Sequence, residues 1–156
     1  MKIPSPHIVI DQSEHLNDTF RPHGRYEASL DGNLVHAEVT GPVNLEALKL
    51  YAEKVGPLLQ GLAPGTKLGW LTVFHGSMMM PPEALSIFTQ KVSDIAATEL
   101  IAAVAHVAGD NVEGRNMMSR IFASKMLEPA GIPYKLFSDI ESAKLWLQQQ
   151  VDTHKP

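Results

Sequence analysis

Between residues 41 and 150 the chain repeats one pattern: a segment with apolar residues at helical spacing, then a short, nearly unbroken apolar stretch. In the first such segment Leu45, Leu48, Ala52, Val55 and Leu59 share one face of a helix. A second places Leu85, Phe88, Val92 and Ile95 in the same way. A third, from about 113 to 127, is expected to bury Met117, Met118, Ile121, Phe122 and Met126. Ile140, Ala143, Trp146 and Leu147 mark a fourth. The stretches at 67–74, 100–107 and 134–137 have the length of buried strands, and 100–107 is apolar enough to be central. Alternating strands and helices imply a largely parallel sheet with right-handed crossovers. The expected fold class is therefore α/β, an N-terminal hairpin followed by helix–strand units, with a mixed, mostly parallel sheet flanked by helices.

The local punctuation agrees. Residues 25–30 and 34–39 alternate in polarity around Asp31-Gly32-Asn33, a hairpin signature because such turns need positive φ. Gly41-Pro42 ends the second strand, and Asn44 can cap the first helix by accepting hydrogen bonds from the helix's free backbone amides. Pro64, between Gly61 and Gly65, closes that helix. Pro81-Pro82 opens the next, where first-turn amides lack partners anyway. Gly109-Asp110-Asn111 makes a turn, Pro129 and Gly131 end the third helix, and Ser138 or Asp139 caps the last. Residues 1–24, with several prolines and the apolar island Ile8-Val9-Ile10, are expected to form an arm carrying an edge strand. It packs on the domain or on a second subunit; a mobile tail is the alternative. The domain proper spans 25–150, and residues 151–156 are expected to fray.

Composition removes several function classes. With 44% hydrophobic and 19% charged residues the chain is globular rather than disordered. A formal net charge of −4, with Lys and Arg scattered, gives no electrostatic attraction to nucleic acid. The absence of cysteine excludes disulfides, thiolate metal sites and thiol nucleophiles, and suits a cytoplasmic protein. No apolar run is long enough to span a bilayer, and residues 1–7 lack the apolar core of a secretory signal. The seven histidines include no helical zinc pair, so neither metal nor cofactor is expected. His36 is expected to face solvent, and His106 to be a hydrogen-bonded core residue.

The order of elements resembles that of STAS domains, the fold of bacterial anti-sigma-factor antagonists, and more closely the STAS-like (SpoIIAA-like) proteins that share it. Four stretches carry the likeness: Asp31-Gly32-Asn33, Gly41-Pro42-Val43-Asn44, Leu71-Thr72-Val73-Phe74-His75-Gly76, and Ile140-Glu141-Ser142-Ala143-Lys144-Leu145-Trp146-Leu147. They extend over roughly 25–150, and their order matters more than any one of them. The resemblance implies a regulatory or binding role, some relatives of the fold being thought to hold lipids or other apolar ligands. Antagonist STAS domains carry an Asp-Ser-x-Gly-type phosphorylation segment at the start of the second helix. Here the region reads His75-Gly76-Ser77-Met78-Met79-Met80-Pro81-Pro82, so the phosphosite is not carried over.

In open parallel sheets ligands gather beyond the carboxyl ends of the strands. That edge would collect Asn44, His75, Gly76, Ser77, Asp110, Asn111, Arg115 and Asp139; the candidate ligand-binding residues are Asn44, His75, Ser77, Asp110, Asn111 and Arg115 from this edge, with Met79 from the loop beside it. Turn-forming and capping explain Asn44 and Asp110 equally well. His75 and Ser77 could be a base and nucleophile, but no third group, oxyanion hole or Gly-x-Ser-x-Gly elbow accompanies them. Arg115 near a helix start could hold an anion, although Asp110 and Glu113 would repel it. The thioethers of Met78-Met79-Met80 suit a loop over a pocket, a partner contact, or a loop folded on the core. The expected function is a non-catalytic module for a protein partner or a small apolar or anionic ligand at these loops. A small hydrolase using His75 and Ser77 is the alternative, and homodimerisation stays open.

Overall fold

The structure, a computed structural model, describes residues 7–10 and 24–154. Strands β1 (His7–Ile10), β2 (Arg25–Asp31), β3 (Leu34–Thr40), β4 (Leu68–His75), β5 (Ile101–Ala108) and β6 (Tyr134–Phe137) form one mixed sheet in the order of the chain. The β1–β2 and β2–β3 pairs are antiparallel; β3–β4, β4–β5 and β5–β6 are parallel. The chain is thus α/β with a mixed, mostly parallel sheet, and β5 is an interior strand. Helices α1 (Leu45–Leu59), α2 (Pro82–Ala96), α3 (Arg115–Ile121) and α4 (Ile140–Thr153) complete it. Of the proposed arm, β1 forms an edge strand on β2; residues 1–6 and 11–23 lie outside the described residues.

Sequential parallel strands with crossovers of one hand place α1, α2 and α3 on one face of the sheet. Val39, Phe74 and Ala108 pack towards these helices, together with Met118 and Phe122. The alternate residues Leu71, Val73, Ala105 and Val107 pack under α4, against Ala143 and Leu147. Period-two alternation on central strands thus separates two apolar layers. At the hairpin, Asp31 pairs with Leu34, leaving Gly32 and Asn33 as the two turn residues. Gly32 alone of these has positive φ (58°), as a type II′ turn requires. Asn44 caps α1 by accepting from the Ala47 amide at 3.0 Å, and Asp139 caps α4 by accepting from the Ser142 amide at 2.8 Å.

Four expectations need correcting. The third helix begins at Arg115 rather than 113 and passes into a π-helical segment, Phe122–Leu127. Glu113 is occupied elsewhere, its amide donating to the Gly76 carbonyl and its carbonyl accepting from Met78. Met117 is 49% exposed, because Met118, Phe122 and Met126, four residues apart, take the core-facing stripe. Met117 lies about 100° around the helix from Met118. Residues from Val151 do not fray at once: α4 runs to Thr153, and Val151, four beyond Leu147, is fully buried. His36 is half-buried rather than solvent-facing, its Nε2 shielded 3.5 Å from Glu38 Oε2.

Candidate functional site

The apolar stripes of α1 and α2 do not close completely on the sheet. Between them lies a cavity of about 390 Å³, a volume within the range of small-molecule sites. Leu48, Ala52, Val55 and Leu59 of α1 face Phe88, Val92 and Ile95 of α2 across it. Tyr26, Val39, Trp70, Phe74 and Val104 form its floor on β2 to β5, and Met80 helps wall the end near the α2 start. The lining residues that are also solvent-exposed, Gly56, Lys91, Asp94 and Thr98, mark the mouth between the second halves of the two helices. At the β2–α1 side the Tyr26 and Tyr51 rings lie 3.7 Å apart, centroid to centroid. Burial pushes both phenols above their ordinary range, so both stay neutral.

Two buried polar side chains interrupt this lining, Thr72 on β4 and His106 on β5, at 6% and 3% exposure. His106 Nδ1 lies 2.9 Å from the Tyr134 hydroxyl, which lies 2.9 Å from Ser119 Oγ. Phe74, Phe122 and Tyr134 stand edge-on to the imidazole, centroids 4.9, 5.0 and 4.9 Å away. Burial in this aromatic box holds the His106 pKa down to about 3. The Tyr134 hydroxyl is pushed up to about 12 by burial, against the opposing effect of its Ser119 hydrogen bond. The triad is therefore uncharged throughout the physiological range, and it offers hydrogen bonds rather than charge.

None of the residues expected at the carboxyl edge of the sheet lines the cavity. Asn44 is the cap of α1. His75 Nε2 sits 2.9 Å from Glu38 Oε1, while the Ser77 hydroxyl donates to Glu113 Oε1 at 2.8 Å and accepts from the Met79 amide. Each thus has an acidic partner of its own. Arg115 is a clamp: its guanidinium donates to the Ala108 carbonyl, Ser138 Oγ and Asn116 Oδ1 at 2.9, 3.1 and 3.0 Å. Asp110 and Asn111 are exposed on the turn after β5. Of the methionine run, Met78 is core, Met79 packs half-buried against it, and Met80 reaches the cavity.

Sequence reasoning placed His106 in a hydrogen-bonded interior but did not connect it with Thr72, Tyr26, Tyr51 or Trp70. The available signal was the lone polar residue in each of two apolar strands, Thr72 in Leu-Gly-Trp-Leu-Thr-Val-Phe and His106 in Ala-Ala-Val-Ala-His-Val-Ala. Among the described residues, no helix is long and apolar enough to cross a membrane, and no cluster of three potential metal ligands occurs. Comparison with protein-family models, curated proteins and solved structures returned no match.

Proposed function

We propose that this chain is a non-catalytic, STAS-like binding module that holds a small apolar molecule in the cavity between α1, α2 and the sheet. The cavity itself carries the reading. Protein interiors are packed as densely as organic crystals, with few voids larger than a water molecule. A space of about 390 Å³ walled by aliphatic and aromatic side chains forfeits dispersion contacts along its whole lining. An apolar occupant restores those contacts and is removed from water at the same time. The pairing of His75 with Glu38 and of Ser77 with Glu113 supports binding over hydrolysis.

The test is native and denaturing mass spectrometry of the purified chain, alongside titration with Nile red, an uncharged dye that fluoresces in apolar surroundings. Extra mass seen only under native conditions, or saturable dye uptake, is expected. Ala52→Trp, which fills the cavity from α1, is expected to abolish the uptake. A clean protomer mass with no dye uptake would overturn the proposal.

A further inference from the structure

An apolar ligand site has no need of two buried polar side chains in its wall. Thr72 and His106 are direct partners in the parallel register of β4 and β5, so both side chains rise on the same face of the sheet. Adjacent strands run about 4.8 Å apart, which puts the two polar ends within reach of a single atom between them. The ring is held in place by the Tyr134 hydroxyl at Nδ1, with Ser119 behind it and three aromatic edges around it. Its remaining nitrogen, Nε2, and the Thr72 hydroxyl have no hydrogen-bond partner among the described residues, although both residues line the cavity.

We propose that His106 and Thr72 form a seat for one uncharged oxygen, the hydroxyl or carbonyl of an otherwise apolar ligand. The proposal rests on the cavity being a ligand site and adds the chemistry of its occupant. A hydroxyl both donates and accepts, as does the Thr72 hydroxyl, so either tautomer of a neutral imidazole can complete the set. A carboxylate would lose its water here with no cation beside it, which is costly in an apolar enclosure. A pure hydrocarbon would leave both side chains unpaired. Lys91 at the mouth is the nearest competing anchor for an anionic head group, but Asp94 follows it by three residues and offsets its charge.

The experiment is displacement of Nile red from the full chain by octanol, octane and octanoate, for the unmodified protein and for Thr72→Val and His106→Phe. Thr72→Val keeps the shape of the side chain and guards against a His106→Phe protein that does not fold. Each variant is expected to weaken octanol about five- to tenfold, the worth of one hydrogen bond, and to leave octane unchanged or tighter. Octanol binding that is indifferent to both variants, while octane still displaces the dye, would overturn the seat and leave the cavity reading standing. Octanoate that displaces as well as octanol and is weakened by Lys91→Ala would overturn it in favour of a head group at the mouth. Absence of any dye uptake by the unmodified chain would remove the cavity reading and the seat together.

Discussion

Thr72 and His106 stand side by side on the neighbouring interior strands β4 and β5, the polar pair in a strip otherwise made of Trp70, Phe74, Val104 and Ala108. Their register makes them neighbours, and the incomplete closure of α1 and α2 makes them accessible. From this pair, and from the packing around it, several outcomes can be measured.

The stability of the protein should fall with acid through His106. The folded ring stays neutral down to about pH 3, whereas an unfolded histidine takes its proton near 6.5. Between those values the unfolded chain binds more protons, so this contribution is whole above pH 6.5 and shrinks as pH falls. The loss should reach roughly 3 kcal/mol by pH 4. Denaturant midpoints measured from pH 7 to pH 4 give the slope, and His106→Gln should flatten it relative to the unmodified protein. Identical slopes would show that the folded ring takes up its proton as readily as the unfolded one.

Tyr134→Phe should destabilise by about 1–2 kcal/mol, because it leaves both His106 Nδ1 and Ser119 Oγ without their common partner in a buried setting. Ser119→Ala, which spares the His106 bond, should cost less. Urea unfolding of the two variants separates them.

Two glycines should respond differently to alanine. At Gly56, inside α1, a Cβ would meet no atom beyond the neighbouring residues, but Pro57 follows directly and its ring crowds the Cβ of a helical residue before it, so the gain in helix propensity is offset and Gly56→Ala should stay within about 0.5 kcal/mol of the unmodified protein. At Gly69 a Cβ would lie 2.8 Å from Leu34 Cδ2 and 3.1 Å from Leu147 Cβ. Gly69→Ala should therefore destabilise, by roughly 1–3 kcal/mol, as the α4 layer is forced off the sheet. Thermal melts of both proteins report the contrast directly.

The orientation of α4 can be tested on two leucines two positions apart. Leu147 is fully buried and Leu145 is 64% exposed. Leu147→Ala should cost about 2–5 kcal/mol, and Leu145→Ala should stay within about 0.5 kcal/mol of the unmodified protein. Comparable losses at both positions would mean that α4 presents a different face to β4 and β5.

Most of the architecture was legible because it is written in local periodicity. The Gly32-Asn33 turn, the Asn44 cap, Pro82 at the head of α2 and the apolar run of β5 each act over a few residues. The misses arose where a contact from elsewhere in the chain took over. Glu113 is drawn out of the third helix by the backbone of Gly76 and Met78, Val151 is kept in α4 by the core, and Met117 lost the core to the Met118–Phe122–Met126 stripe.

The stripes Leu48–Ala52–Val55–Leu59 and Phe88–Val92–Ile95 show the limit most plainly. Their spacing determines an apolar helix face, whether that face meets a packed core or an open space, because amphipathicity encodes removal from water and not the distance to the opposite wall. By itself the sequence determined the elements, their order and the polarity of each face. Only the tertiary structure decided that a space stays open between α1, α2 and the sheet, and that Thr72 and His106, thirty-four positions apart in the chain, share one register position in its wall.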